Sequence, residues 1–458
     1  MTHLNDINSL GARIDAHIET HLDYWIDQLA RLCAQPSIST RGEGIAACAD
    51  LVATMLREQG FTAEIMPTAG HPVVYGEGGQ GDKTLLFYLH YDVQPPEPLH
   101  LWESPPFELA RRGDKLYARG VTDDKGHIIC RLAALAAVRD ALGALPCKVK
   151  FIIEGEEEMG SPNLPAFIVQ QQELLAADAC IWEFGSVDYE ETPLLSLGMR
   201  GLSYVELAVR TASMDAHSGL GGSIFPNAAW RLVWALNSIK GPDGRIRIPG
   251  FYDDALPPSA RDLELLARLP DQAEAVRATY GLAGFLGGMT GLELVKTAVF
   301  EPSATINGLE SGFQGPGIKT VLPAEATAKL DFRLVPNQEP QDIAQKLRAH
   351  LAAEGFGDVE VRYLGGVRPA RVDPDHPFVQ LTNAAAVEVY GREMLVEPIV
   401  GGSGPNYPFI HVLGLPVVSA GIGYPDGRAH APNENIRLAD FVKGTRHTAR
   451  IVARFGQT

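Results

Sequence analysis

Acidic and histidine side chains stand in five separate places of the chain, and most of them directly follow an apolar run. They are His90 with Asp92, Asp123 with Asp124, the acidic run 156–158, Glu183 and His430. Imidazole and carboxylate groups in this number are the usual protein ligands for a pair of divalent metal ions with a water between them. The residue types therefore indicate metal-assisted hydrolysis.

His90 and Asp92 stand at the carboxyl end of a strand that we predict over residues 85–90. Residues two apart point to the same face of a strand, so the two side chains can lie side by side. Asp92 can then hold one ring nitrogen of His90 while the other nitrogen binds metal. The alternative for this pair is a strand-end histidine followed by a turn aspartate, without a chemical role.

Asp123 follows a Gly-Val-Thr turn and precedes a helix that we predict over residues 125–142. A carboxylate in this position can face a cleft. The alternative is that Thr122 and Asp123 cap the amino end of the helix behind them.

The acidic segment 154–158 (EGEEE) directly follows an apolar strand predicted over residues 147–153. A solvated acidic loop is the alternative for this run, and a surface loop histidine is the alternative for His430. Open α/β sheets, however, bind ligands beyond the carboxyl ends of their strands. The acidic run, His90 and Glu183 would meet at that edge, which favours a shared site.

Helical and extended segments alternate through the first 197 residues, and the predicted strands are almost continuously apolar. This alternation indicates an α/β fold, with helices on both faces of a mainly parallel sheet. Near residue 198 the pattern changes to half-buried strands and two helices, predicted over 201–211, 226–239, 325–334, 340–354 and 358–363.

The first pattern returns after residue 373, just ahead of the segment that carries His430. If His430 completes the metal site, the first domain is discontinuous. We therefore predict a catalytic di-metal domain formed by residues 1–197 and 374–458, with residues 198–373 inserted as a second domain that consists of a sheet backed by two helices.

The composition limits the classes of partner. The chain has 458 residues and a formal net charge of −17, which would repel phosphate backbones and anionic membrane surfaces. No segment approaches the roughly 18 apolar residues of a membrane span, and the first ten residues lack the features of a signal peptide. The five cysteines have no C-x-x-C spacing, which favours reduced thiols. We expect a cytoplasmic protein without nucleic-acid or membrane partners.

Two motif matches lack the structural context that they require. Residues 76–81 match G-x-G-x-x-G, but another strand follows at 84–89, so we predict a glycine-rich hairpin and no dinucleotide site. Ser403 is followed by Gly404 and Pro405, which misses the G-x-S-x-G nucleophile elbow. Ser403 is therefore not expected to be a nucleophile.

Taken in order along nearly the whole chain, the motifs resemble those of the M20 metallopeptidases, and among them the carnosine-dipeptidase-like branch of cytosolic dipeptidases. The matching segments are 88–95 (YLHYDVQP), 102–106 (WESPP), 119–126 (RGVTDDKG), 154–161 (EGEEEMGS), 215–219 (DAHSG), 331–336 (DFRLVP), 401–403 (GGS) and His430. Each segment alone is weak, whereas the ordered set is specific.

The resemblance implies a site for two divalent metal ions. Asp123 would bridge them, with His90 and Glu183 completing one site and Glu158 and His430 the other. Zinc is the metal that the resemblance implies, with manganese and cobalt as alternatives.

It also implies roles for the neighbouring residues. Glu157 would be the general base on the bridging water, and Asp92 would orient His90. The peptide bond between Asp123 and Asp124 is expected to be cis.

The inserted domain resembles the family's lid and dimerisation domain, an α+β module of ferredoxin-like type. His217 would reach the active site of the partner subunit in a homodimer and stabilise the developing oxyanion. Arg333, helped by Ser403, would hold a substrate carboxylate through its planar fork. The alternatives are a histidine in a lid turn and a salt bridge between Arg333 and a neighbouring acid.

The resemblance implies hydrolysis of the amide bond of dipeptides, or of small peptide-like substrates with a free carboxylate. Glu183 keeps a second activity open, because the close dipeptidases tend to have Asp at that position and deacylases use Glu. That alternative is an N-acyl-amino-acid deacylase of the acetylornithine deacetylase or desuccinylase type. A non-catalytic metal-binding scaffold is a third reading, and the complete set of ligands argues against it.

Overall fold

The computed structural model describes residues 2–457, with side chains described over residues 9–457. The chain forms two compact units, and each has an apolar core of its own. The first unit comprises Met1–Leu197, Val372–Pro398 and Pro408–Thr458. The second comprises Gly198–Arg371 and Ile399–Tyr407.

The first 197 residues alternate between helices and strands. The helices are α1 (Thr2–Thr20), α2 (Leu22–Cys33), α3 (Ile45–Glu58), α4 (Lys125–Leu142), α5 (Leu164–Gln170) and α6 (Gln172–Leu175). The strands are β1 (Thr62–Met66), β2 (Val73–Gly78), β3 (Thr84–His90), β4 (Ala110–Arg112), β5 (Lys115–Tyr117), β6 (Lys148–Glu154), β7 (Ala179–Trp182) and β8 (Leu194–Ser196).

The next part of the chain, up to residue 371, contributes only to the second unit. Its strands are β9 (Gly198–Met199), β10 (Gly201–Arg210), β11 (Ala216–His217), β12 (Ser303–Ser311), β13 (Val321–Leu322), β14 (Glu325–Leu334), β15 (Glu360–Val367) and β16 (Ala370–Arg371). Its helices are α7 (Ser218–Gly221), α8 (Ala228–Ile239), α9 (Ala260–Leu266), α10 (Ala273–Tyr280), α11 (Gly291–Phe300) and α12 (Pro340–Ala353).

The carboxyl-terminal part returns to the first unit. It adds helices α13 (Pro377–Tyr390) and α14 (Leu438–Phe455) and strands β17 (Leu395–Glu397), β18 (Val417–Ser419) and β19 (Asn435–Arg437). None of the helices in the described part of the chain combines the length and the apolar character of a membrane span.

A six-stranded sheet lies at the centre of the first unit, in the order β1-β2-β6-β3-β7-β18. The four strands β6, β3, β7 and β18 run parallel, and β1 and β2 join antiparallel at one edge. The parallel strands are buried along almost their whole length, as expected for a sheet covered on both faces. The predicted α/β fold with a mainly parallel sheet is confirmed.

The register of this sheet brings the predicted ligands to one edge. His90, the last residue of β3, is aligned with Glu154, the last residue of β6. β7 runs parallel beside β3 and ends one residue before Glu183. The segments that follow β3, β6 and β7 therefore begin at the same end of the sheet, where parallel strands bind ligands.

The prediction of a hairpin at residues 76–81 is wrong. β2 and β3 do not pair with each other, because β6 lies between them in the sheet. A close backbone approach explains the glycine at position 79. Gly79 has a φ of 74°, and a Cβ there would lie 2.4 Å from the carbonyl oxygen of Cys147. The turn packs closely on the residues that lead into β6, and this close approach requires glycine.

The second unit has a four-stranded antiparallel sheet in the order β12-β14-β10-β15. In chain order these elements are β10, α8, β12, β14, α12 and β15, which gives the βαββαβ arrangement of ferredoxin-like folds. Alternate residues of β10 are buried, and they pack with α8 and α12 in one core. The predicted α+β module is confirmed.

The segment Ile399–Tyr407 differs from the predicted domain division, which placed it in the metal-binding domain. Here it belongs to the second unit. Ile399 is buried in an apolar cluster with Leu266 and Phe300, and the carbonyl of Gly402 accepts a hydrogen bond from the backbone N–H of Arg200 at 2.9 Å. These contacts join residues that are far apart in sequence, so the spacing of apolar residues along the chain could not predict them.

Candidate metal centre

The carboxylate of Asp123 lies between two imidazoles, with one oxygen facing each of them. Its Oδ1 is 3.0 Å from Nε2 of His90, and its Oδ2 is 3.0 Å from Nε2 of His430. Oε2 of Glu158 is 3.1 Å from the same nitrogen of His430. Asp123, Glu158 and His430 each offer one ligand atom within 4.8 Å of the others. A carboxylate with a different histidine at each oxygen has the arrangement that a ligand shared by two metal ions requires.

Asp92 fixes the orientation of His90 at the end of β3. Nδ1 of His90 lies 3.0 Å from the backbone oxygen of Asp92 and 3.3 Å from its Oδ1. With Nδ1 engaged as a donor, Nε2 is the ring nitrogen turned toward Asp123. The Asp92 carboxylate, which is buried, also accepts the backbone N–H groups of Glu157 and Glu158. The alternative of a turn aspartate without a chemical role does not account for these contacts.

Asp123 and Thr122 do not cap the following helix. The residue before α4 is Asp124, and its side chain makes no capping hydrogen bond. Instead, Oδ1 of Asp124 lies 2.9 Å from Nδ1 of His127, while its Oδ2 accepts the backbone N–H of His90. The peptide bond between Asp123 and Asp124 is cis, as the resemblance implies.

The acidic segment after β6 is held in place by protein contacts, so the alternative of a solvated loop is wrong. Glu154 is buried, and its Oε1 accepts hydrogen bonds from the hydroxyls of Tyr88 at 2.6 Å and Ser161 at 2.8 Å. Glu156 is buried as well and accepts a hydrogen bond from Nδ2 of Asn163 at 2.8 Å. Both carboxylates thus anchor the segment.

Glu183 is a buried carboxylate that lacks a partner for one oxygen. Its Oε2 makes no hydrogen bond to any of the described residues. Burial raises the pKa of Glu183 well above its ordinary value, and the charge of Glu157 raises it further, whereas His90 lowers it. A buried carboxylate oxygen without a donor needs a proton or a cation. The unpartnered oxygen of Glu183 therefore fits the role of a metal ligand.

The electrostatics of the cluster favour positive charge. Burial raises the pKa of Asp123, but His430 and His90 lower it more, so it falls well below its usual range. Asp123 and Glu158 raise the pKa of His430 to about 10. Burial lowers the pKa of His90, but Asp123 and Asp92 raise it more, so its net shift is upward. The acidic groups thus favour positive charge at this cluster, and metal ions would supply it.

Arg333, on β14, has its guanidinium partly exposed in the second unit. Its Nη1 donates a hydrogen bond to Oγ of Ser403 at 2.9 Å. Its Nε is 3.5 Å from Oδ1 of Asp331, whose other oxygen accepts a hydrogen bond from Nδ2 of Asn307 at 2.8 Å. The neighbouring acid that the alternative reading required is therefore present, but it lies at the Nε edge of the guanidinium and at a long distance.

His217 is exposed at the end of β11 in the second unit. Its Nδ1 accepts the backbone N–H of Gly219 at 3.0 Å, and its Nε2 lies 3.4 Å from Oγ1 of Thr320. Because Nδ1 is the acceptor, a neutral ring carries its proton on Nε2. His217 is therefore set to donate a hydrogen bond from Nε2.

The comparison with protein families identifies the family of this chain. Residues 86–454 match the peptidase family described as "Peptidase family M20/M25/M40". The chain belongs to this family. Every proposed metal ligand of this M20 peptidase lies inside the matched region.

Relatives and solved structures agree with that assignment. The protein is 28% identical to a Beta-Ala-His dipeptidase of Rattus norvegicus, with 82% of this chain and 78% of the relative covered. It is 27% identical to a Cys-Gly metallodipeptidase of Candida albicans, with 94% and 95% covered. A solved M20 family metallo-carboxypeptidase from Sulfolobus solfataricus is 35% identical, with a TM-score of 0.88 and with 95% of this chain and 99% of that chain covered.

Sequence reasoning missed two residues that contact proposed metal ligands of this M20 peptidase. Nε2 of Gln94 donates a hydrogen bond to Oε2 of Glu158 at 2.9 Å. Glu434 accepts the backbone N–H of Asp123 at 3.1 Å. Gln94 stands two residues after Asp92, so alternation along an extended segment could have suggested it. No local spacing marks Glu434, because its partners lie more than 300 residues away.

Proposed function

We propose that this M20 peptidase is a metal-dependent dipeptidase that cleaves the amide bond of dipeptides or small peptide-like substrates with a free carboxylate. The observation that carries the proposal is the Asp123 carboxylate placed between His90 and His430. Dipeptidases among the relatives that match this chain over most of its length support the substrate class.

Five residues would hold two divalent metal ions. His90, Asp123 and Glu183 would bind one ion, and Asp123, Glu158 and His430 would bind the other. We propose zinc, with manganese and cobalt as alternatives. When bound, such ions lower the pKa of a water molecule and polarise the carbonyl of the scissile amide.

Glu157 is the proposed general base. Burial raises the pKa of its carboxyl to about 7, although His90 lowers it in part. A group with a pKa near the working pH can both take up and release a proton. Glu157 takes the proton of the attacking water and later passes it to the nitrogen of the leaving amine. Asp92 holds the backbone of Glu157 in place during both transfers.

Two further roles fall to residues of the second unit. Arg333 and Ser403 would bind the carboxylate of the substrate, since a planar guanidinium beside a hydroxyl suits that group. His217, from the partner subunit of a homodimer, would donate its Nε2–H to the oxyanion of the tetrahedral intermediate.

An exposed apolar surface in the second unit supports the homodimer. We call it the α8 surface, and it consists of Met214, Leu220, Ile224, Phe225, Trp230, Val233 and Trp234. The rings of Trp230 and Trp234 stack with centroids 5.9 Å apart, and both side chains are more than half exposed. Exposed apolar groups of this size mark an interaction surface. We propose a second copy of this chain as its partner, which would also bring in a second His217.

The cytoplasm remains the proposed location. All five cysteines are buried and free, as expected for a protein kept in a reducing environment. The net charge of −17 continues to argue against nucleic acid as a partner.

A carboxypeptidase activity is the second candidate, and the similarity to the Sulfolobus solfataricus metallo-carboxypeptidase favours it. A carboxylate held by Arg333 and Ser403 suits either activity. The two candidates differ in what precedes the scissile bond, which is a single residue in a dipeptide and a longer chain in a carboxypeptidase substrate.

A substrate panel with Mn²⁺- or Zn²⁺-loaded protein tests the proposal. We expect turnover of free dipeptides, and turnover that is much slower with tripeptides and N-acetyl or N-succinyl amino acids. Preference for longer peptides would support the carboxypeptidase instead. Turnover of only the acylated amino acids would support the deacylase and contradict the dipeptidase proposal.

A further inference from the structure

Glu434 is a buried carboxylate whose two oxygens both face the loop that carries Asp123. Its Oε1 accepts the backbone N–H groups of Thr122 at 2.9 Å and Asp123 at 3.1 Å. Its Oε2 accepts the backbone N–H of Gly120 at 2.9 Å and Nη1 of Arg119 at 2.7 Å. One carboxylate therefore satisfies four donors within five consecutive residues.

These donors belong to the irregular turn between β5 and α4, where no neighbouring strand supplies acceptors. Gly120 has a φ of 81°, and a Cβ at this position would lie 2.8 Å from Cγ1 of Val93. Buried backbone N–H groups must find acceptors to avoid a desolvation penalty. For three of the amides in this turn, the acceptor is Glu434, so the turn's conformation depends on that side chain.

The segment that carries Glu434 also carries His430, four residues earlier. His430 has a φ of 61° and Asn433 a φ of 62°, which are uncommon conformations for residues other than glycine. Asn433 accepts the backbone N–H of Glu103 at 2.9 Å and donates to the backbone oxygen of Leu101 at 2.8 Å. The segment is thus anchored on one side by Asn433 and on the other by Glu434.

We infer that Glu434 is a positioning residue for the metal centre, which sets the Asp123 carboxylate at its distance from His430. The inference rests on the proposed metal-binding function. Asp123 and His430 are 307 residues apart in sequence, and Glu434 connects their two segments directly. Because Glu434 holds the turn in place, the turn loses its conformational entropy when the protein folds and not when the metal binds. The consequence is tighter metal binding.

Glu434→Gln tests this role with Mn²⁺ alone as the probe. The amide keeps one acceptor oxygen but turns an NH₂ group toward two of the four donors. We expect the dissociation constant for Mn²⁺, measured by titration calorimetry on metal-free protein, to rise about 10- to 100-fold. Two Mn²⁺ ions should still bind per chain at saturation, and element analysis measures that number.

Asp262→Asn is the matched control. Asp262 is also a buried carboxylate that pairs with an arginine, Nη1 of Arg371 at 2.6 Å, and it accepts a backbone N–H from Ser259 at 2.7 Å. It lies in the second unit, outside the metal centre. We expect Asp262→Asn to lower the melting temperature and leave Mn²⁺ affinity at the wild-type value.

Two outcomes would overturn the inference. One is an unchanged Mn²⁺ affinity in folded Glu434→Gln. If the wild-type protein still hydrolyses dipeptides in that case, the dipeptidase proposal stands. The other is a wild-type protein that binds no Mn²⁺, which would overturn the metal-binding proposal as well.

If Glu434→Gln does not fold, hydrogen exchange of the metal-free wild-type protein decides the question. The amides at 120, 122 and 123 should be protected before Mn²⁺ is added. Exchange as fast as in an exposed loop would contradict the inference.

Discussion

Oδ1 of Asp92 accepts the backbone N–H of Glu157 at 3.2 Å. The same oxygen lies 3.3 Å from Nδ1 of His90, and Oδ2 accepts the backbone N–H of Glu158 at 3.1 Å. A single buried carboxylate therefore orients a proposed metal ligand on β3 and holds the segment that carries the proposed base and a second ligand. We therefore expect Asp92 to be important for metal binding as well as for proton transfer.

Asp92→Asn should weaken metal binding and slow turnover together. An asparagine offers one acceptor oxygen, and its NH₂ group would face a backbone N–H of Glu157 or Glu158. We expect about a 10- to 100-fold loss of Mn²⁺ affinity, as for other groups that orient metal ligands. Titration calorimetry measures it, with Asp440→Asn as a control, since Asp440 is buried but pairs with Arg437 away from the centre. Equal Mn²⁺ affinity in wild type and Asp92→Asn would refute this role.

Glu157→Gln should remove the general base and leave both metal ions bound. We expect kcat to fall by about 10²- to 10⁴-fold, the usual contribution of general acid–base catalysis. Steady-state kinetics on a dipeptide, with the metal content measured in parallel, gives the answer. Glu173→Gln, an exposed residue of α6, serves as the control. A Glu157→Gln protein with wild-type turnover would exclude Glu157 as the base.

Arg333→Lys should impair the binding of substrates that have a free carboxylate. Lysine keeps the positive charge but loses the planar fork and its hydrogen bond to Ser403. We expect KM for a dipeptide to rise about tenfold or more, while activity on the corresponding dipeptide amide, already low, changes little. Arg362→Lys is the control, because Arg362 is exposed and pairs with Glu206 and Glu360. An equal effect on the dipeptide and its amide would contradict carboxylate recognition.

The double variant Trp230→Glu with Trp234→Glu should convert a dimer into a monomer. Both rings lie on the α8 surface, and two carboxylates in each copy would be desolvated without partners in the interface. Light scattering after size-exclusion chromatography measures the mass. Val169→Glu, which changes an exposed apolar residue of the first unit, should leave the mass unchanged. Wild-type protein that is a monomer at micromolar concentration would count against the proposed homodimer.

His447 should make the protein less stable in mild acid. Burial lowers the pKa of its imidazole to about 4, although its hydrogen bond with the backbone oxygen of Thr382 opposes that shift. The unfolded chain takes up this proton near pH 6.5, whereas the folded protein takes it up only near pH 4. The contribution to stability is therefore complete above pH 6.5 and is lost as the pH falls from 6.5 to 4.

The comparison of His447→Gln with wild type isolates this effect. The free energy of unfolding of wild type should fall more steeply than that of His447→Gln between pH 6.5 and 4, measured by urea denaturation. His100→Gln, at an exposed position, should follow the wild-type curve. Parallel curves for wild type and His447→Gln would contradict the prediction.

The regular elements with strong apolar patterns could be predicted from sequence. The helix predicted over 125–142 is α4, and the strand predicted over 325–334 is β14, with the same bounds. Such runs carry their own signal, because burial against one core sets their periodicity. The strand β12 was missed, since most of its residues are exposed and its pairing with β14 has a register shift between Ile306 and Gly308.

The placement of ligands at the strand ends could also be predicted, because parallel strands share one edge. The supporting contacts could not. Glu434 accepts a backbone N–H more than 300 residues earlier in the chain, and Asp92 accepts a backbone N–H of the acidic segment. Hydrogen bonds to main-chain groups leave no pattern in residue types, since every residue except proline offers the same N–H.

The chain passes between the two units four times, because Ile399–Tyr407 returns to the second unit after the first has resumed. A fragment that contains only residues 198–371 would lack Ser403, the partner of Arg333, and Ile399, which packs with Leu266 and Phe300. Recombination that exchanged the inserted segment alone between relatives would therefore transfer only part of the proposed carboxylate-binding site. The recipient would have to supply a compatible short loop from a separate stretch of its own gene, so the two stretches are expected to evolve together.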